Sequence, residues 1–408
     1  MRARLVVVVL AVYAGSALGE DKKPTVPLSG TADPRFALLD EIMTTVIDKQ
    51  SLAGASLAVL KDGKLVYSRG FGYADRENMQ PMPPNALFRL CSVSKALTAV
   101  AILKLIEQGK FELDSSVTRL LDLHPTGRKA DERWHKITIR HLLEHRGGWD
   151  VKASKFDPMF APGPIVREMR VFPPVLPHTI IQYMLRQPLD FEPGSKFAYN
   201  NFGYCLLGRV IEKVSKQKSY EKFVQQEVLK PLGITRMRLG RSLLSQRFAD
   251  EVRYHSPVTA NAVVGSPIGR SVSAPYGGFY LEAMDAHGGW LGSAADLARF
   301  AQAFDDPQAC KILKPESVQQ LFQSSNREES KGGAYYARGW LVQPLGKEQI
   351  VYWHDGAMEG SASMVVRRPD GITFAVLFNA RGKEGDPEPI ALVNGPLHQA
   401  VSRIFAAK

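Results

Sequence analysis

Ser92 and Lys95 stand three residues apart in the stretch CSVSKALTAV, Cys91 to Val100. Val93, Ala96, Leu97, Val100, Leu103 and Ile106 follow a 3.6-residue period, so the stretch opens a buried helix that Gly109 stops. Residues three apart on a helix share a face, with Cβ atoms roughly 5–6 Å apart. A serine hydroxyl becomes a nucleophile when a base takes its proton. A lysine kept neutral by burial can be that base. Bringing a lysine from ~10.4 to ~7 costs about 4 kcal/mol of folding free energy, which a packing role would not justify. Ser92 also sits where unpaired helix N–H groups create positive potential. Ser94 is the competing hydroxyl, but only Ser92 has a lysine one turn ahead. By itself a bare SxxK is a short pattern, and an N-capping serine beside a solvated lysine gives the same one.

Three further stretches carry polar groups at telling places. In FEPGSKFAYNNFGYCLLG a Pro-Gly turn leads into Tyr199-Asn200-Asn201 and then a helix with Leu206, Leu207 and Val210 on one face. A tyrosine there can relay protons, and Asn201 can hydrogen-bond a substrate carbonyl; the alternative is an ordinary helix cap. In VYWHDGAMEGSASMVV, His354, Asp355 and Gly356 end a strand. Glycine lets a ligand approach the backbone, and a strand-edge N–H can donate to an oxyanion. The alternative is a hairpin with a polar turn. In HLLEH, His141 and His145 on one helix face could bind zinc with Glu144 as base, the reading of a metalloprotease.

SxxK, then YxN about a hundred residues on, then [KH]xG on a late strand resembles the penicillin-binding protein and serine β-lactamase superfamily, in its class C β-lactamase, D,D-peptidase and esterase branch. The segments GYADRENMQPMPPNALFRLCSVSKALTA, GKFELDSSVTRLL, ITIRHLLEHRGGWD, PGSKFAYNNFGYCLLGRVIEKV and DAHGGWLGSAADLARFA are similar to family segments, in family order from about residue 34 onward. The resemblance implies acyl transfer in two steps, through an ester on Ser92 that water then cleaves. It implies Lys95 as the base partner, Tyr199 as the second acid/base residue, and Asn201, His354 and Gly356 as substrate-binding residues. The N–H groups of Ser92 and Ala357 would form the oxyanion hole. It implies no cofactor and no metal, and makes HLLEH part of a family segment whose histidine caps a turn before Gly147-Gly148. With Ser92, Lys95 and Tyr199 all present, a non-catalytic cell-wall binding protein is disfavoured.

His354 is the departure, since β-lactamases of this branch carry lysine there. A histidine is mostly neutral at pH 7, and Asp355 beside it adds negative charge. A penicillin or cephalosporin brings a carboxylate that must be desolvated, at a cost if no cation meets it. The expected activity is therefore that of an esterase, amidase or D-peptidase on small or peptide-like substrates, cell-wall peptide among them. A class C-type β-lactamase or D,D-carboxypeptidase is the alternative. Lower pH is expected to favour anionic substrates, and Arg338 or Arg381 are the other cations that could meet a carboxylate.

These residues need a scaffold, and the chain has room for one: 408 residues, 45% hydrophobic and 23% charged, the balance of a globular protein. ASLAVLKDGKLVYSRGFGYAD alternates around Asp62-Gly63 as a β-hairpin, after a helical pattern in PRFALLDEIMTTVIDKQ. A helix is expected at Asp296 to Phe304. Four β-rich runs follow, ARGWLVQPL, QIVYWHDG, SASMVVRR and ITFAVLFNA, with RPDGI as the turn between the last two, and PIALVNGPLHQAVSRIFAA closes the chain. The expectation is an α/β (α+β) fold: a mainly antiparallel sheet flanked by helices (about 34–114 and 290–408) with an all-helical subdomain inserted (about 115–289). Irregular stretches at 147–177 and 254–290 are expected to cover the site. Residues 1–19 read as a signal peptide, with Arg2 and Arg4, the apolar run Leu5 to Val12, and ALG before the cleavage site. That implies export to a periplasm or medium with no stable membrane anchor. Residues 20–33 read as an unstructured linker, and 34–408 as the hydrolase domain. The net charge is +11, but basic residues are spread along the chain, so a nucleic-acid surface is not expected. Cys91, Cys205 and Cys310 form no disulfide framework and no metal pattern.

Overall fold

A computed structural model describes residues 26–406, apart from 128–129, 216–218, 347–348 and 383–384. Residues 1–19, read above as a signal peptide, and residues 20–25 of the expected linker lie outside the described residues. The rest of the linker is ordered, contrary to expectation. Leu28 and Ser29 pair antiparallel with Phe71 and Gly70 at the sheet edge. Two backbone pairs suffice to hold so short a segment, and its composition gives no sign of them.

The frame is a nine-stranded antiparallel sheet. Its main path runs Leu28–Ser29, Lys64–Asp75, Gly54–Lys61, Ile372–Phe378, Ser361–Arg367, Gln349–Met358, Leu341–Leu345 and Tyr335–Tyr336. Asp62 and Gly63, at φ 47° and 80°, make the tight turn that the Asp-Gly pair calls for. The central strands are buried on both faces. Leu57, Val59, Phe374 and Val376 pack with Leu39, Met43 and Ile47 of the helix Ala37–Lys49 and with Val393 and Leu397 of the helix Pro389–Ala406. Ala58, Leu60, Ala375 and Leu377 face the opposite core, built around the helix Ser94–Glu107. From Ser94 to Leu103 that helix is buried all round, so it runs through the protein as a central rod.

Helices, the longest Asn201–Ser215, and loops fill most of the part between the two β-rich ends, but it is not all-helical as expected: Arg238–Leu239 pairs with Trp290–Gly292, and Thr259–Asn261 with Ser271–Ser273. The covering stretches have more regular structure than their composition suggests. In 147–177, Asp150 caps the turn Val151–Ser154 and Pro162 starts the helix Pro162–Met169. In 254–290, Thr259–Asn261 pairs with Ser271–Ser273. Among the described residues no helix is long and apolar enough to cross a membrane.

Candidate active site

Ser92 lies in a single tight turn, Cys91–Val93, that feeds the helix Ser94–Glu107. The turn is anchored to the sheet from behind. Ser361 Oγ donates to Arg89 O at 3.0 Å and Ser363 Oγ to Leu90 O at 2.7 Å. Cys91 takes φ +50°, a strained left-handed conformation for a residue with a side chain. A Cβ on Gly356 would lie 2.6 Å from Ser92 N and 2.8 Å from Leu90 O, so only glycine lets the strand Gln349–Met358 come this close. Arg89, fully buried, ties the covering loops to this anchor. Its guanidinium donates to Pro275 O at 2.8 Å and Arg241 O at 3.0 Å and lies over the Tyr254 ring.

Lys95 is completely buried, and its Nζ has three oxygen neighbours: Ser92 Oγ at 3.2 Å, Asn201 Oδ1 at 2.9 Å and His287 O at 2.9 Å. Burial pulls it from 10.5 down to about 7, against the opposing charge of Asp157. The lysine is thus neutral for an appreciable fraction at neutral pH. Nζ also lies 4.9 Å from the centre of the Tyr199 ring.

Tyr199, Asn200 and Asn201 divide their work. Tyr199 exposes 37% of its surface, but its phenol is turned toward Ser92, which acts to lower its pKa. Burial, reinforced by the charges of Asp355 and Asp157, outweighs that and keeps the phenol protonated well above its ordinary range. Asn200 is the helix cap, its Oδ1 accepting from Gly203 N at 2.9 Å. Asn201, expected to meet substrate, has both ends of its amide bonded within the protein, to Lys95 and to Asp157 Oδ2 at 2.8 Å.

His354 is buried. Its Nδ1 lies 2.6 Å from Asp355 O and its Nε2 3.2 Å from the Tyr336 hydroxyl. Nδ1–H therefore donates to the carbonyl, and Nε2 accepts from the phenol. Burial, then the charge of Lys95, pulls its pKa to about 3. The expectation that mild acid would charge His354 is overturned: the ring stays neutral because it is walled off from water. Asp355 points the other way along the strand and is exposed. Burial still raises its pKa, and among the described residues no other side chain pairs with it. Ala357 is likewise exposed, one residue beyond the contact of Gly356 with Ser92. The other two cations are committed elsewhere. Arg338 pairs with buried Glu144 at 3.0 Å, and Arg381 pairs with Glu388 and Glu359.

The zinc reading of HLLEH fails on geometry. The helix Ile139–Leu143 ends before Glu144, and His145 turns away at φ +57°. His141 takes part in the capping box with Thr138. The buried ring of His145 accepts from Asn200 N at 3.2 Å and packs on Tyr199, Tyr204 and Tyr336 at 4.3–5.1 Å between centres. Glu144 serves Arg338. The motif is structural, holding the tyrosines against the site.

Two groups escaped the sequence reading. The His287 carbonyl reaches Lys95 across 192 residues, and Asp157 reaches Asn201 across 44. The one signal for Asp157 was an acid in a Pro-rich, aromatic loop expected to cover the site. Together the groups can take a proton from Ser92 Oγ onto Lys95 and supply one from Tyr199.

Comparison with known proteins agrees with this geometry. The family model described as Beta-lactamase matches residues 39–394. Penicillin-binding protein 4* of Bacillus subtilis is 26% identical over 352 residues, 86% of this chain and 72% of that protein. The chain spans 60–80% of the lengths of the curated relatives it matches. The octameric penicillin-binding protein homologue from Pyrococcus abyssi superposes with a TM-score of 0.69 at 25% identity, covering 90% of this chain and 77% of that one. The D-amino acid amidase of Ochrobactrum anthropi SV3 shares the fold, with a TM-score of 0.67 at 21% identity over 92% and 99%. A helix-borne serine–lysine pair backed by a late sheet strand and matched from residue 39 to residue 394 belongs to the Beta-lactamase family, and the chain is a serine hydrolase of the β-lactamase and penicillin-binding protein superfamily.

Proposed function

We propose that the chain hydrolyses small neutral or cationic esters and amides, D-aminoacyl amides among them, through an ester on Ser92. Neutral Lys95 takes the Ser92 proton as Oγ attacks the carbonyl carbon. The N–H groups of Ser92 and Ala357 hold the oxyanion. As the tetrahedral intermediate collapses, the protonated phenol of Tyr199 gives its proton to the leaving alcohol or amine and regains one from Lys95. Water then cleaves the acyl–Ser92 ester by the same proton path in reverse.

The observation that carries this reading is that none of the three residues expected to meet a substrate carboxylate, His354, Arg338 and Arg381, offers it a free charge. His354 stays neutral with a pKa of about 3, Asp355 is an unpaired acid at the rim, and Arg338 and Arg381 are in ion pairs. Leaving a carboxylate desolvated without a partner is costly. The same argument disfavours C-terminal D,D-peptides, which also present a carboxylate. Export rests on the charged and apolar segments of residues 1–19; N-terminal sequencing of protein recovered outside the cytoplasm, starting near residue 20, tests it.

The decisive experiment combines a fluorophosphonate with a substrate panel. The adduct is expected on the peptide holding Ser92, and aryl esters and D-aminoacyl amides are expected to turn over faster than nitrocefin at pH 7. An adduct on Ser94, or faster nitrocefin turnover, overturns the reading.

A further inference from the structure

Lys95 Nζ has three oxygen neighbours, and they are not equivalent. Asn201 Oδ1 and His287 O, both at 2.9 Å, can only accept. Ser92 Oγ, at 3.2 Å, can also donate. A neutral amine has two hydrogens and one lone pair. If its hydrogens go to the two obligate acceptors, the lone pair is left facing the Ser92 hydroxyl, where a base needs it. The arrangement holds only while Asn201 presents its oxygen. Were the amide turned over, its NH₂ would donate to the lone pair and draw it away from Ser92.

What fixes the amide is Asp157. Its Oδ2 accepts from Asn201 Nδ2 at 2.8 Å and its Oδ1 from Met159 N at 2.9 Å. Burial pushes the Asp157 carboxyl up, while the bonds from Asn201 and Met159 and the charge of Lys95 pull it down; in its ionised form it has no proton to give, so it tolerates only the NH₂ end of Asn201. We propose that Asp157 is a positioning residue for the hydrolytic reaction: its carboxylate locks the Asn201 amide so that the lone pair of Lys95 is aimed at Ser92. The same charge also raises the basicity of Lys95 against the effect of burial. The charged group felt at Lys95 is Asp157; the Cys91 thiol and the phenols of Tyr199 and Tyr204 are held protonated by burial, and the rings of His145, His287 and His354 around it are kept uncharged. An asparagine at 157 could present either its oxygen or its NH₂ to Asn201, so the lock would be lost with little change in shape.

The proposal rests on Lys95 being the base, and the test separates the two. The pH profiles of kcat and kcat/KM for an uncharged aryl acetate are measured for the wild type, Asp157→Asn and Asp157→Glu, with thermal unfolding to confirm folding. Asp157→Asn is expected to lower the plateau kcat about tenfold, the scale of a weakened base. Its acid limb should move to lower pH by roughly half a unit to one unit, as expected when a neighbouring negative charge is removed, and KM should stay within about twofold because a positioning group does not bind the substrate. Asp157→Glu is expected to restore the wild-type limb and part of kcat. An unmoved limb with kcat intact overturns the proposal. So does a KM rise confined to aminoacyl substrates with a free amine and absent from their N-acetylated counterparts, because Asp157 would then be a substrate anchor. A wild-type profile without a limb near pH 7 would instead count against Lys95 as the base, which is a separate failure.

Discussion

Replacing Lys95 with methionine isolates the folding cost of a buried base. The side chain is fully buried, and burial pulls its pKa down to about 7 from the 10.5 of a lysine in water. One unit is about 1.4 kcal/mol, so the full difference is roughly 4–5 kcal/mol. The sign follows from proton counting. Below pH 7 both states bind the proton and the whole penalty is present. Between pH 7 and 10.5 the unfolded chain holds the proton and the folded one does not, so stability rises with pH. Lys95→Met has no such term. The wild type is expected to gain about 2.5 kcal/mol on the variant between pH 7 and pH 9. The absolute offset is less informative, because methionine leaves Asn201 Oδ1 and His287 O without a donor, at about 1–3 kcal/mol each. Urea unfolding of both proteins across this range, with m-values unchanged, reads the difference directly. Parallel stability curves would refute the reasoning, since they would mean that Lys95 keeps its ordinary pKa when folded.

The activity of the wild type on an uncharged ester is expected to rise through an acid limb near pH 7. No histidine limb is expected between pH 4 and 6, because His145, His287 and His354 are buried and stay neutral; a limb near 6 that vanishes in His354→Gln contradicts this. Asp355→Asn is expected to raise nitrocefin turnover several-fold while aryl ester turnover stays within about twofold, since removing a rim charge changes mainly the binding of anions. The exposed residue 355 is the better test, because a lysine at buried 354 would itself lose its charge beside Lys95; equal effects on both substrates argue against electrostatic exclusion. Cys91 is expected to resist iodoacetamide at pH 7.5, because burial pushes its thiol up to about 11; labelling of the native protein at that residue would show the site to be more open than described.

The parts of the site that could be read from the sequence obey local rules. Ser92 and Lys95 meet because residues three apart on a helix share a face. The sheet was readable because Leu57 to Leu60 and Phe374 to Leu377 feed two cores at once. What could not be read depends on chain paths. Asp157 and the His287 carbonyl come from loops, and no periodicity marks where a loop returns. The identity of His354 was plain but its burial was not, and burial makes its charge independent of mild acid. The zinc alternative for HLLEH needed the helical phase to continue past Leu143, where the backbone turns left-handed at His145.

The contact between Gly356 and Ser92 also bears on how such a site can change. Any side chain at 356 would push the strand off the nucleophile, so that position is closed to variation. Its neighbours are not equally closed. Residue 354 faces the buried tyrosines and residue 355 faces the rim, one on each side of an immovable pivot. A library that holds 354 and 356 and varies 355 would therefore sample substrate preference while leaving the packed rings around Tyr199 untouched. Selection for a new substrate should move fastest at the exposed position, where a change disturbs no packed ring.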